Sequence, residues 1–191
     1  MVSQLFALGC FGGRQGAACR FKLHERGILT KDKERFCDMI DEVLYMQVRL
    51  FRMFRERTGL SSRAANRAFV DGGVWDFISG CYDVLHLSGD DAALEDVLAR
   101  LDFAGVSYQF AALTLAGQSD MTSEANAACA DMVLVDAISD LALKSGQTEA
   151  EVRELLIESG AYDALYDEQT GLWASGPDAF IHFFEQMQQR G

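Results

Sequence analysis

The sequence predicts an all-α fold, and three observations carry that prediction. A single proline among 191 residues is too few for a sheet-rich chain with many tight turns. Apolar residues recur at spacings of three and four through long stretches, the period of a buried helix face. Ser, Thr or Asp starts and Gly stops punctuate those stretches at regular distances, as helix caps do.

The elements follow in order. Thr30 is a suitable N-cap for a long helix from Lys31 to Arg57. Phe36, Ile40, Val43, Leu44, Leu50, Phe51 and Phe54 share its buried face, and Asp38, Asp41, Glu42, Tyr45, Arg49, Arg52 and Glu56 line the opposite side. Met39, Met46 and Met53 fall seven apart on a flank. Gly59 ends this helix, and Ser61 caps a second from Ser62 to Val70. After Gly72-Gly73 a third runs from Val74 to Leu87, with Trp75, Ile78, Tyr82 and Leu85 on one face. That placement predicts a buried Trp75. Ser88-Gly89-Asp90 opens a fourth, through about Leu101, whose first turns carry Asp90, Asp91, Glu95 and Asp96 where the helix dipole favours acids.

Past a connecting stretch, which holds a short candidate helix from Ser107 to Leu115, Ser123 to Lys144 reads as a long apolar-rich helix ended by Gly146. Thr148-Glu149-Ala150-Glu151 is a capping box for the next helix, stopped by Gly160. Pro177 suits the first turn of a last helix, Asp178 to Gln189. Trp173 lies in a less regular stretch between Thr170-Gly171 and Pro177, so greater exposure is expected for it.

The second half echoes the first at a constant offset of 87 residues, without gaps. Gly59 pairs with Gly146, Ser61 with Thr148, Gly73 with Gly160, and Ser88-Gly89 with Ser175-Gly176. Core positions stay apolar, as in Phe69/Leu156, Ile78/Leu165 and Leu94/Ile181. The expectation is two degenerate copies of a four-helix unit. The organisation read from the chain is a Gly-rich, basic arm (residues 1–30), repeat 1 (31–103), a linker (104–122) and repeat 2 (123–191).

Composition narrows function more by exclusion than by assignment. Hydrophobic residues make up 49% and charged residues 24%, ordinary for a globular domain, and 13 Phe, 5 Tyr and 2 Trp supply a core. No apolar stretch approaches the ~18 residues of a membrane span. Met1-Val2-Ser3-Gln4 carries no basic side chain and Leu5 to Leu8 is too short for a secretory leader, so a cytoplasmic location is expected. The five cysteines are odd in number and none lies closer than nine positions to the next, so there is no CxxC motif. Gly9, Gly12, Gly13 and Gly16 do not spell a dinucleotide cradle, because Phe11 stands where a glycine is needed. His24, His86 and His182 are far apart and outside any zinc spacing. The residues imply no metal and no cofactor.

The stretch from Gly73 to Asp90 carries a family likeness. Gly73, Asp76, Ile78, Tyr82, Asp83, Leu85, His86 and Gly89 fit G-x-x-D-x-I-x-x-x-Y-D-x-L-H-x-x-G, followed by an acidic amphipathic helix. The segment resembles a small bacterial family known as domain of unknown function 3791, over roughly Phe36 to Leu101. The second half departs from the pattern, with Gln169-Thr170 in place of Tyr82-Asp83 and Trp173 in place of His86. The resemblance implies a small helical protein without an established activity. Genes of this kind often lie beside others resembling ADP-ribosyltransferase-like toxins, which implies a partner or regulatory role.

Two groups of residues are candidates for function. Tyr82, Asp83 and His86 form the best local constellation: Asp83 and His86 are three apart, on one side of a helix, where a carboxylate orients an imidazole as a general base or helps bind a ligand. The bland alternative is that they fix the Ser88-Gly89 turn. The second group is basic. Residues 1–67 hold thirteen bases and seven acids, a balance of +6, while the remainder holds four bases and 22 acids, −18, which together give the net charge of −12. Either the basic helix folds onto the acidic remainder, or Arg49 and Arg52 mark a basic binding face, or the acidic part awaits a basic partner. The leading expectation is a non-enzymatic interaction protein, an accessory or neutralising partner in a toxin-type operon, with another protein as partner. Homodimerisation is compatible with it; membrane association is not, and the net charge disfavours nucleic acid. The alternatives are a nucleic-acid-binding module built on the Arg-rich helix and an enzyme or ligand site at Asp83 and His86.

Overall fold

In the computed structural model, residues 41–108, 121 and 123–190 are described. The fold is all-α, with eight α-helices, two single-turn 3-10 helices and no strands among these residues. The helices are α1 (Glu42–Thr58), α2 (Ser62–Asp71), α3 (Val74–Ser88), α4 (Asp90–Phe103), α5 (Glu124–Ser145), α6 (Glu149–Ser159), α7 (Ala161–Leu165) and α8 (Pro177–Arg190). The 3-10 turns, Glu168–Thr170 and Leu172–Ala174, lie between α7 and α8.

One expected boundary is wrong. The long first helix does not run unbroken from Lys31: Asp41 is extended, and its carboxylate accepts the Leu44 amide at 2.9 Å, an N-cap that starts α1 at Glu42. The candidate cap Thr30, the 1–30 arm and most of the Ser107–Leu115 helix lie outside the described residues. The capping box forms as read. Thr148 Oγ1 accepts the Glu151 amide at 3.2 Å while Glu151 accepts the Thr148 amide at 2.8 Å.

Helix boundaries recur at the offset of 87 along most of the chain. Gly59, Gly73 and Gly89, and their counterparts Gly146, Gly160 and Gly176, all adopt left-handed or otherwise positive φ. Helix α4 and helix α8 begin and end exactly one offset apart. The register breaks opposite α3. There the continuous 15-residue helix of the first half is matched by five-residue α7 and the two 3-10 turns: the chain turns extended at Asp167, which caps the first turn, and Gly171 at φ 66° separates the first turn from the second.

Packing centres on the two long helices. Helix α1 contacts α2, α3, α4 and α5, while α5 contacts α1, α6, α8 and the second 3-10 turn. Phe51 sits where the halves meet. Its ring lies 5.2 Å from Phe69, 5.2 Å from Trp75 and 5.4 Å from Tyr162. Such aromatic pairs add about 0.5–1.5 kcal/mol each to what burial supplies. Trp75 is 8% exposed, as its helical position predicts, and Trp173 is half-buried.

Candidate functional site

The sequence-predicted residues separate into two places. Tyr82, Asp83 and His86 lie on α3, exposed or half-buried. The Tyr82 hydroxyl donates to Glu42 of α1 at 2.6 Å. That hydrogen bond, with some burial and nearby acids, raises the Tyr82 pKa above the ordinary tyrosine value. The His86 ring stacks on the Tyr82 ring at 4.9 Å and 16°. Its Nδ1 lies 2.7 Å from the Tyr82 carbonyl oxygen, a contact that requires the proton on Nδ1. The neutral ring therefore presents Nε2 as its basic nitrogen. It is Tyr82, not Asp83, that orients the imidazole. The carboxylate–imidazole arrangement expected of a general base is not what holds this ring.

Arg49 and Arg52 sit elsewhere and are committed to the fold. The Arg52 side chain was expected on the outer face of its helix. It is instead 2% exposed and bridges α1 to α5. Its Nε donates to both oxygens of Asp131 at 3.1 Å, its Nη1 to Glu56 at 2.9 Å and its Nη2 to Glu124 at 3.0 Å. Burial alone would lower the Arg52 pKa; the charges of Asp131 and Glu56 outweigh it and hold the guanidinium above its ordinary value. Asp131 is fully buried and also accepts from the Tyr166 hydroxyl at 2.6 Å. Burial is the largest influence on Asp131 and pushes its carboxyl up against the opposing pull of Arg52.

The other arginines of this region repeat the pattern. Arg49 pairs with Asp90 at the start of α4 and lies 3.8 Å from Glu124. Arg55 pairs with Asp163 at 3.1 Å and lies over the Tyr162 ring. Ser62 donates to the same Asp163 at 2.7 Å, and Arg63 pairs with Glu158. The basic helix is thus turned onto carboxylates of the acidic remainder.

A second polar cluster escaped the sequence reading. Arg153 of α6 is 8% exposed; its guanidinium stacks 3.7 Å from the Trp75 ring centroid, and its Nη1 donates to Gln47 at 2.8 Å. Gln47 donates to the Trp75 carbonyl at 3.0 Å and to Ser79 at 2.8 Å, while the Trp75 indole donates to Asn66 at 3.2 Å. Among the described residues no carboxylate comes within ion-pairing distance of Arg153. Burial accordingly lowers its pKa to about 10, only partly offset by Glu149, Asp76 and Glu154. Beside it lies a cleft of about 250 Å³ between α2, the start of α3 and α6.

The signals for these clusters are faint in one dimension. Asp131 occupies a slot of the apolar stripe Ala127, Leu134, Ile138, where a lone carboxylate demands a buried partner. Arg153 stands between Val152 and Leu156 in the same way. Neither position names Arg52 or Gln47 as its partner, each more than 75 residues away in the chain. The described residues hold no group of three His, Cys, Asp or Glu suited to a metal ion, and no helix among them is long and apolar enough to cross a membrane.

No curated protein and no solved structure matches the chain. One family does: residues 45–100, from the first turn of α1 to near the end of α4, match DUF3791, a protein of unknown function.

Proposed function

We propose that this chain is a non-enzymatic helical interaction module whose partner is a protein with a basic surface. The observation that carries the reading is the use of charge. Arg49 and Arg52, which the sequence offered as a binding face, are engaged by Asp90, Glu124 and Asp131, and their neighbours Arg55 and Arg63 by Asp163 and Glu158. With those cations spent internally, acids such as Asp71, Asp83, Asp91, Asp96 and Glu154 dominate what is exposed. An acidic surface attracts basic partners and repels nucleic acid. The finer reading, a cytoplasmic accessory or neutralising partner in a bacterial toxin-type operon, rests on what the family resemblance implies, the matched family being itself of unknown function. The recurrence of helix boundaries at 87 residues supports treating the halves as degenerate copies of one unit, with only the first keeping Tyr82, Asp83 and His86.

The test is affinity capture with the full chain from its native host, with the products of neighbouring genes checked first. The expected partner is a basic protein that elutes as salt rises and is lost when Asp91, Asp96 and Glu154 are replaced by their amides. Retention on a nucleic-acid column, released by salt and abolished by Arg49→Ala, would support the nucleic-acid reading instead.

A further inference from the structure

We propose that the cleft beside Arg153 is a binding site for a small zwitterion, an α-amino carboxylate with an apolar side chain. The carboxylate would sit on Arg153, the ammonium against Asp76 and Glu154, and the apolar body against Trp75 and Val70. The inference is independent of the protein-interaction reading above and uses none of its residues but Glu154.

The cleft has the parts such a ligand needs. Its floor holds one buried cation whose hydrogen bonds go to a neutral amide, Gln47, and whose face rests on Trp75. Buried charges are ordinarily paired, because their lost hydration has to be replaced. Arg52, in the same fold, meets three carboxylates, whereas Arg153 meets none among the described residues. Guanidinium forks pair with planar carboxylates in two parallel hydrogen bonds, which a small anion in the cleft supplies. The wall reinforces the preference: the first turn of α3, with Gly73, Trp75 and Asp76, lines the cleft and has no side-chain cap.

The rim decides against a plain anion. Asp76 and Glu154 are exposed carboxylates that line the same cleft, and both act on Arg153 through space. Glu151, also at the rim, is already spent on Thr148. An anion entering alone meets two like charges. A ligand carrying an ammonium group beside its carboxylate turns both into partners. Val70, 58% exposed, and the buried Trp75 leave an apolar wall for the side chain. The volume, about 250 Å³, lies below the roughly 300–1,000 Å³ of drug-sized pockets, so the occupant is small.

Trp75 makes the test direct. In full-length Trp173→Phe protein, Trp75 is the one tryptophan left, and its emission is followed during titration with L-phenylalanine, 3-phenylpropionate (no ammonium) and phenethylamine (no carboxylate). The expected result is a saturable change with L-phenylalanine at an affinity at least about tenfold better than either fragment. Arg153→Gln should abolish it. Because that variant puts a buried position at risk, Asp76→Asn, at an exposed one, provides the second reading: it should reduce L-phenylalanine to the affinity of 3-phenylpropionate. Absence of saturation with L-phenylalanine, or equal binding of either fragment, overturns the proposal.

Discussion

At the scale of single residues, two buried tyrosines four positions apart make opposite predictions. The Tyr166 hydroxyl donates to fully buried Asp131, whereas the Tyr162 hydroxyl is buried without a hydrogen-bond partner among the described residues. Tyr166→Phe removes a donor from a carboxylate that has no access to water, and should cost about 1–3 kcal/mol. Tyr162→Phe removes an unsatisfied hydroxyl and should lie within about 1 kcal/mol of the parent, or above it. Urea unfolding of the two variants checks the contrast; equal losses would mean that the Asp131 contact contributes nothing particular. The same residues show where sequence reading stops. Trp75 was legible as core because its neighbours at helical spacing are apolar. Arg52 was not: helical spacing placed it on the outer face, and only Asp131, Glu56 and Glu124 together allow a guanidinium to sit at 2% exposure.

At the scale of elements, the helix stops and starts were the most legible feature, because caps are local chemistry. Ser61, Thr148, Gly59 and Gly146 act where the sequence put them. The start of α1 was misread because Asp41, itself a good cap, lies inside an apolar pattern that continues upstream. The candidate site was legible only as residue types. Tyr82 and His86 do meet, but through a ring stack and a backbone carbonyl that spacing does not reveal. Glycines in and next to α3 offer a test of element packing. Gly80 is inside the helix with open space around it, so Gly80→Ala should raise stability by up to about 1 kcal/mol through helix propensity. A Cβ at Gly72 would stand 2.6 Å from the Leu101 side chain and 3.1 Å from the Ala68 carbonyl oxygen. Gly72→Ala should therefore push the buried Leu101 side chain out of its place and cost about 1–3 kcal/mol. Thermal melts of both variants measure this, and a neutral Gly72→Ala would mean that Leu101 repacks without loss.

At the scale of the whole molecule, what matters is how charge is distributed between inside and outside. Burial, then the charge of Asp131, keeps Tyr162 and Tyr166 protonated well above the ordinary tyrosine value, with Arg55 and Arg52 opposing. Folded protein thus retains two protons that the unfolded chain releases near pH 10. A raised pKa of this kind contributes its full stability below about pH 10 and loses it as pH rises toward the folded value. The urea midpoint should fall above about pH 10, and less steeply in Tyr162→Phe. A flat profile there would place the two hydroxyls in water. The central claim is that the basic helix α1 is an internal spine, leaving the acidic groups to face any partner. A double-mutant cycle on Arg52 and Asp131 tests it most directly, with Arg52→Met, Asp131→Leu and the double variant unfolded in urea. The predicted result is a loss of about 3–5 kcal/mol for each single change, since each strands a buried charge, and a double variant far more stable than the sum implies. Single variants within about 0.5 kcal/mol of the parent, adding without coupling, would contradict it and return the arginines of α1 to the surface as a binding face.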